Sequence, residues 1–501
     1  MNDSLHTACP DAYPADADGA PAVGSPGRRA FLRRSGQLAM TGTALPFALN
    51  LAAMGEAAAA DAGDYKALVC VFLYGGNDYA NTVVTYDDPN YNAYAAIRGG
   101  TGQAGGGVAI AKAALTPTLL TPTTALPDGR QYALHPAMPG LAGLFNAGQA
   151  AVQLNVGPLV VPLTRADYSA GIKPRPPRLF SHNDQQSVWQ SSATEGSTVG
   201  WGGRIGDLAL QSNGTATFTC ISASGAAVFL SGQNAVPYQV STGGAIPFNA
   251  VKNNVYGSAA VKAAMTTLLQ QPRAHLLENE YTRVAARSIA AEAQVTAALG
   301  NGTAVGTAFP AGNPLADQLK VVARLIAARN ALGARRQVFF VSLGGFDLHD
   351  NLMAAHPVVL GRVSEAMTAF YNATVELGVA SQVTAFTASD FGRTLASNGG
   401  GADHGWGSHH LVVGGAVKGK AFYGVAPPVS IGNSATVAAD QWHVGQGRLL
   451  PRTSVDQYAA TLARWFGVPD AQLDGLLPNL KNFGAAAGRD DYPRDMGFMT
   501  A

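Results

Sequence analysis

Residues 389–424 read SDFGRTLASNGGGADHGWGSHHLVVGGAVKGKAFYG and lie just past the apolar run Val383-Thr384-Ala385-Phe386-Thr387. A continuous apolar run bounded by turn residues predicts a strand covered on both faces, as in a parallel sheet. The glycine-rich stretch after it sets Asp390, Arg393, Asp403, His404, His409 and His410 beyond that strand's end. Ligands of open α/β sheets collect at the carboxyl ends of strands, and carboxylates mixed with imidazoles are a donor set for divalent cations. The segment therefore predicts both a fold class and a metal centre.

Three further strand-to-turn junctions repeat the pattern. Leu68-Val69-Cys70-Val71-Phe72-Leu73-Tyr74 closes into Gly75-Gly76-Asn77-Asp78. Leu179-Phe180-Ser181-His182-Asn183-Asp184 opens a polar segment through Trp189, and Val338-Phe339-Phe340-Val341-Ser342-Leu343 ends in Gly344-Gly345-Phe346-Asp347-Leu348-His349. Alanine-rich helical stretches at 261–299 and 315–332 lie between the second and third junctions, and Ser454-Val455-Asp456-Gln457 opens an amphipathic helix through Trp465. Strands alternating with helices predict an α/β fold with a mainly parallel sheet. One domain is expected over 65–485. It carries a Gly- and Pro-rich insertion near 99–127 and a β-rich excursion at 212–245, and a tail follows at 486–501.

The 501 residues are 47% hydrophobic and 13% charged, enough for a large core and unlike a disordered chain. A net charge of +1 argues against a nucleic-acid partner. Gly27-Arg28-Arg29-Ala30-Phe31-Leu32-Arg33, a mildly apolar stretch at 37–54 and the small residues at 57–60 form the pattern of a twin-arginine (Tat) signal peptide over 1–60. The Tat export machinery is thus an expected partner, and the periplasm or the exterior the expected location. No other segment reaches the length of a membrane span. Loss of the signal leaves Cys70 and Cys220. Cys70, inside an apolar run, reads as a buried thiol, with a disulfide between the two as the alternative.

The motifs GGND (75–78), FSHND (180–184), GGFDLH (344–349), the 389–424 block and GRLLPRTSVDQYAATLARWFGVP (447–469) together resemble a bacterial exported family, domain of unknown function 1501. The resemblance spans nearly all of the mature chain. It implies a branch of the alkaline phosphatase and sulfatase superfamily, whose α/β/α sandwich holds two metal ions about 4 Å apart. Carried over residue by residue, it implies that Asp78 ligates one ion and Asp347 with His349 the other, that Asp390 is the metal-binding carboxylate of the late strand-end motif, and that His404 is the closing histidine. The usual Asp-His pair is Asp390-Phe391 here, which calls for His404, His409 or His410 to fold back as a substitute. The spacing of Asp347 and His349 is also tighter than the superfamily's.

Such a site would carry two divalent ions drawn from Zn, Mn, Ca or Mg and hydrolyse phosphate or sulfate esters of a small molecule or polymer, because paired cations neutralise the anionic group under attack. A non-catalytic binding or envelope-assembly protein that keeps the fold is the second expectation, favoured by Phe391. Ser181 is the candidate nucleophile, as a hydroxyl at a strand-to-helix turn, or else a helix N-cap; Asp184 is the alternative metal-facing group of that turn. Arg393, three residues after Asp390, serves either as a clamp on an oxyanion or as a pin for a loop. His409 and His410 alternate across a strand, so only one faces the site, and His409 is taken as that ligand. Gly100-x-Gly102-x-x-Gly105 and the P-loop-like residues 414–420 read as turns, and no G-x-S-x-G elbow occurs.

Overall fold

The computed structural model describes residues 65–99 and 107–500; the expected signal over 1–60 and the glycine pattern at 100–105 lie outside them. Nine strands carry the argument: β1 (Lys66–Leu73), β2 (Ala150–Gly157), β3 (Cys220–Ser222), β4 (Tyr238–Ser241), β5 (Arg336–Leu343), β6 (Val383–Ser389), β7 (Arg393–Ser397), β8 (Ala402–His404) and β9 (Ser408–Gly414). The main sheet runs β2-β9-β6-β1-β5-β3-β4, with shorter strands at both edges. β1 is parallel to β5 and to β6, and Leu73 aligns with Leu343 on one side and Ser389 on the other. Three of the four predicted junctions therefore open at one edge. β9 is the reversed strand, antiparallel to both β6 and β2, so its first residues return to that edge.

Alternation along β1 explains the layers. Ala67, Val69, Val71 and Leu73 enter one apolar cluster with helices α3 (Pro314–Ala327) and α4 (Leu352–Glu376). Leu68, Cys70 and Phe72 point the other way, into a cluster with α2 (Trp201–Ala209) and α5 (Val455–Phe466). A strand that is apolar at every position serves two helical layers at once. α5 starts at a capping box, Ser454 and Gln457 bonding each other's backbone N–H, and stops at Gly467 in the left-handed region.

Three boundaries differ from expectation. Residues 212–245 extend the sheet, because β3 pairs in parallel with β5 and is wholly buried. The tail packs into the body, with Phe498 fully buried and Thr500 N donating to Ala416 O at 2.8 Å. The long helical stretch breaks into Ala259–Gln270 and Leu276–Asn301 around Pro272, which lacks a backbone donor. Cys70 and Cys220 are free and buried, on β1 and β3 with β5 between them. Two strand spacings, about 10 Å, exceed the roughly 7 Å that a disulfide spans between Cα atoms. No helix of the described residues is long and apolar enough to cross a membrane.

Asp456, in the first turn of α5, is fully buried, and burial pushes its carboxyl up to about 7 despite hydrogen bonds from Asn479. A folded-state pKa above the unfolded 3.8 means the folded chain holds the proton more tightly; this contribution is complete below 3.8 and is lost as pH rises through 7. Melting temperature should fall across that window, and Asp456→Asn should flatten the decline; an unchanged pH profile in the variant would exclude Asp456 as its source.

Candidate metal centre

The first turn is built for close approach. Gly75 has φ +116°, and a Cβ there would sit 2.3 Å from the Asp347 amide nitrogen, so glycine lets the turns after β1 and β5 meet. Beside it, Gly76 leaves room for the Phe391 ring. Asp347 is thereby delivered to the sheet edge, and its Oδ1 accepts from Arg393 Nη1 at 2.7 Å. Burial raises the Asp347 carboxyl, but the hydrogen bond and charge of Arg393 outweigh it and hold the group below its ordinary value.

Around Asp347 stand three imidazoles. His404 Nε2 is 3.3 Å and His349 Nε2 3.1 Å from Asp347 Oδ1, and His182 Nε2 is 3.4 Å from Oδ2. The ligand atoms of His182, Asp347 and His404 all lie within 4.8 Å of one another. An ion with bonds near 2.0–2.2 Å needs neighbouring donors about 2.9–3.5 Å apart, and the three contacts to Asp347 are of that size.

The far nitrogen of each ring is tied down. His182 Nδ1 lies 2.7 Å from Asp390 Oδ2, His349 Nδ1 3.2 Å from Asp403 Oδ1, and His404 Nδ1 2.7 Å from the Phe180 carbonyl. Partners that only accept assign the proton to Nδ1 and leave Nε2 as the ligating atom, the outer-shell arrangement that orients metal-binding histidines. The buried Nε2 of His182 has no hydrogen-bond partner. The Nε2 atoms of His349 and His404 are 2.9 Å apart, so with both rings in this tautomer two lone pairs face each other. Such a contact is repulsive unless a proton or a cation lies between. The hydrogen bond and charge of Asp390 raise the His182 pKa, whereas burial lowers that of His404.

The remaining predicted residues are placed as follows. Asp390 is fully buried and spends its oxygens on His182, on Gln186 Nε2 at 2.7 Å and on the Gly75 amide at 3.2 Å; it orients His182 and stands outside the cluster of candidate donors. Asp78 is not in the cluster. Its carboxylate caps the helix Tyr79–Thr82 and forms a two-pronged pair with buried Arg98, at 2.7 and 3.0 Å. Arg393 pins backbone: its side chain is fully buried and donates to Gly75 O, Ala402 O and Asp347, so of its two expected roles the geometry matches the pin and not the oxyanion clamp. His409 accepts from the Asn155 amide and packs on Tyr79, while His410 packs on Trp189 on the other face of β9. Burial pushes both rings down to about 3, so they are neutral core residues. Ser181 Oγ donates to Asp184 Oδ2 at 2.8 Å.

His182, the first residue of α1 (His182–Ser191), is the ligand-type residue that sequence reasoning missed, though it stood in the FSHND motif beside Ser181. What delivers it is Phe180, at φ +74°, a left-handed conformation an aromatic residue rarely adopts. That turn sends the Phe180 carbonyl to His404 and the next residues into the cluster. The Phe391 ring lies 4.9 Å from the His182 ring and 4.7 Å from His404, filling space between them.

Fold and site define a class first: an α/β protein whose mainly parallel sheet gathers an aspartate and three histidines at its carboxyl edge. The chain belongs to the family described as "Protein of unknown function (DUF1501)", whose model matches residues 65–474. No curated protein matches it. Among solved structures, a crystal structure of Ps i-CgsB in complex with k-i-k-neocarrahexaose aligns over 86% of this chain and 77% of its own, at 10% identity and a TM-score of 0.33. A likeness that loose carries no argument.

Asp78→Ala strands the buried Arg98 charge and should cost about 3–5 kcal/mol in urea unfolding. If Asp78 were instead a ligand, the variant would lose metal per folded chain, and elemental analysis separates the two.

Proposed function

We propose that this protein is an exported, metal-dependent hydrolase of phosphate or sulfate esters, built on a scaffold akin to alkaline phosphatases and sulfatases. The observation that carries the metal is the facing of His349 Nε2 and His404 Nε2 at 2.9 Å, beside an aspartate and the unpartnered Nε2 of His182. The set suits one ion rather than the two that the family resemblance implies, because Asp78 and His409 are committed elsewhere. Imidazole donors suit zinc, and the carboxylate admits manganese. When bound, the ion supplies Lewis acidity, which the side chains lack.

The side chains supply the rest. Asp390, Asp403 and the Phe180 carbonyl hold the three rings in one tautomer, so little reorganisation is needed as charge develops. Ser181 precedes His182, and its hydroxyl lies within hydrogen-bond reach of a buried carboxylate, Asp184, which can accept its proton. A second reading is a binding protein without turnover; the Phe391 ring, set where the superfamily has a ligand, favours it.

Elemental analysis of the folded protein should give close to one zinc or manganese per chain, with Asp347→Ala and His404→Ala reduced to background. Two ions per chain, or none after reconstitution, would sink this centre. Ser181→Ala should lower kcat on a chromogenic phosphate or sulfate monoester by about 10²–10⁴ at unchanged metal content. Activity within threefold of wild type would remove Ser181 as nucleophile, and a metal-loaded wild type inert on both esters would favour the binding protein.

A further inference from the structure

The helix Leu276–Asn301 has an apolar seam that the body covers along one half only. Ala291, Val295 and Ala298 are buried in the cluster that also holds α3. The same alternating steps of three and four carry the seam back through Ser288 to Val284, Tyr281 and Leu277. There it leaves the body: Leu277 is 73%, Tyr281 63% and Val284 41% exposed. Thr282 and Ala285, which are buried in these turns, lie on a different flank of the helix. A stripe with steps of three and four is the seam of a coiled coil, whose side chains enter holes on a facing helix. Most of the large apolar side chains exposed among the described residues fall between 236 and 284, and exposure concentrated in this way marks an interaction site.

Charge selects the occupant. Residues 259–301 hold four cations and three acids, whereas a helix lying on a membrane carries a cationic polar face. The order of the charges fits a second copy of this chain. Glu280 and Arg287 each stand one residue before a seam position, Tyr281 and Ser288, on the flank that meets its own counterpart when two helices run antiparallel. Setting Tyr281 of each copy against Val284 of the other, and Leu277 against Ser288, brings Glu280 opposite Arg287 twice about one two-fold axis. Within its own chain Glu280 meets only the exposed Arg283, at 3.4 Å, a contact that water screens. A parallel pair would set Arg287 against Glu292, which Lys252 already holds at 2.5 Å and which is 12% exposed. It would also lay the two bodies side by side, whereas an antiparallel pair carries them off opposite ends. A net charge of +1 puts no long-range repulsion between copies.

We propose that the uncovered half of this seam docks a second copy of the chain, as a short antiparallel helix pair flanked by two Glu280–Arg287 ion pairs. Four layers make a small interface, so the association is reversible and depends on concentration. The inference is independent of the ester-hydrolase reading, since none of these residues belongs to the histidine cluster.

Sedimentation equilibrium on the whole protein tests it. The mass should rise with concentration from one chain to two, and Leu277→Asp/Tyr281→Asp should weaken the dimer by about tenfold or more. Glu280→Arg and Arg287→Glu should each weaken it, because each sets like charges opposite one another. Mixed together, these two variants should form a heterodimer within threefold of wild-type affinity, as both flanking pairs are then attractive again. Unchanged melting temperatures establish that the variants are folded. A protein that stays monomeric at its highest soluble concentration, or a dimer that Leu277→Asp/Tyr281→Asp leaves within twofold of wild type, overturns the docking surface. Mixing without recovery overturns the antiparallel register. A monomer that binds phosphatidylcholine vesicles, and loses that binding in Leu277→Asp/Tyr281→Asp, overturns the second copy as occupant and gives the face to lipid.

Discussion

The buried guanidinium of Arg393 joins segments that the chain keeps far apart. It donates to the carbonyl of Gly75 after β1, to Ala402 on β8 and to Asp347 after β5, with its side chain fully out of water. A desolvated cation costs several kcal/mol, offset here because the accepting oxygens, one of them charged, surround it. Arg98 repeats the device one layer away, donating to Asp78 and to the carbonyls of Thr394 and Leu395. Two buried cations thus grip the β7–β8 hairpin that carries His404. The position of that histidine is set by charge-assisted bonds to main chain, which vary less with surface fluctuation than a loop's own packing would.

Strain adds to that order. Arg178, Phe180 and Ser192 all have positive φ, bracketing α1 at both ends. Non-glycine residues in that region cost roughly 1–3 kcal/mol each and persist only where surrounding contacts outweigh them. At Phe180 the compensation is visible: its carbonyl binds His404, and its ring carries Arg448. The strained residue is therefore the joint between the histidine cluster and the arginine that rests on the same turn.

Much of the sheet was legible because apolar runs ending in Gly-Gly or Ser-Asp announce strand ends wherever they occur, and the parallel register of β1, β5 and β6 follows from them. That Asp347 and His349 stand at the carboxyl edge was legible for the same reason, while His404 came with the family resemblance. Partners were not. Asp78 and Asp390 look alike in sequence, each a carboxylate just past a buried strand. One faces Arg98 from a helix twenty residues on, and the other faces His182 and Gln186. Periodicity gives the direction a side chain leaves a strand but not which distant group meets it. His182 was hidden for a different reason: a histidine opening a polar helix after a serine looks like capping chemistry, and only the backbone inversion at Phe180 redirects it. Arg393 had left both roles open, and the carbonyls that decide between them come from two other segments.

The two buried thiols on β1 and β3 enter one apolar cluster on the same face of the sheet, where Gly206 of α2 leaves room for the Cys220 sulfur, and β5 separates them. No covalent bridge thus joins distant parts of the described body. Its cohesion comes from apolar burial and a handful of interior ion pairs, none of which depends on an oxidant. The body needs no oxidant to reach its final shape, so its folding is uncoupled from the redox state of its surroundings.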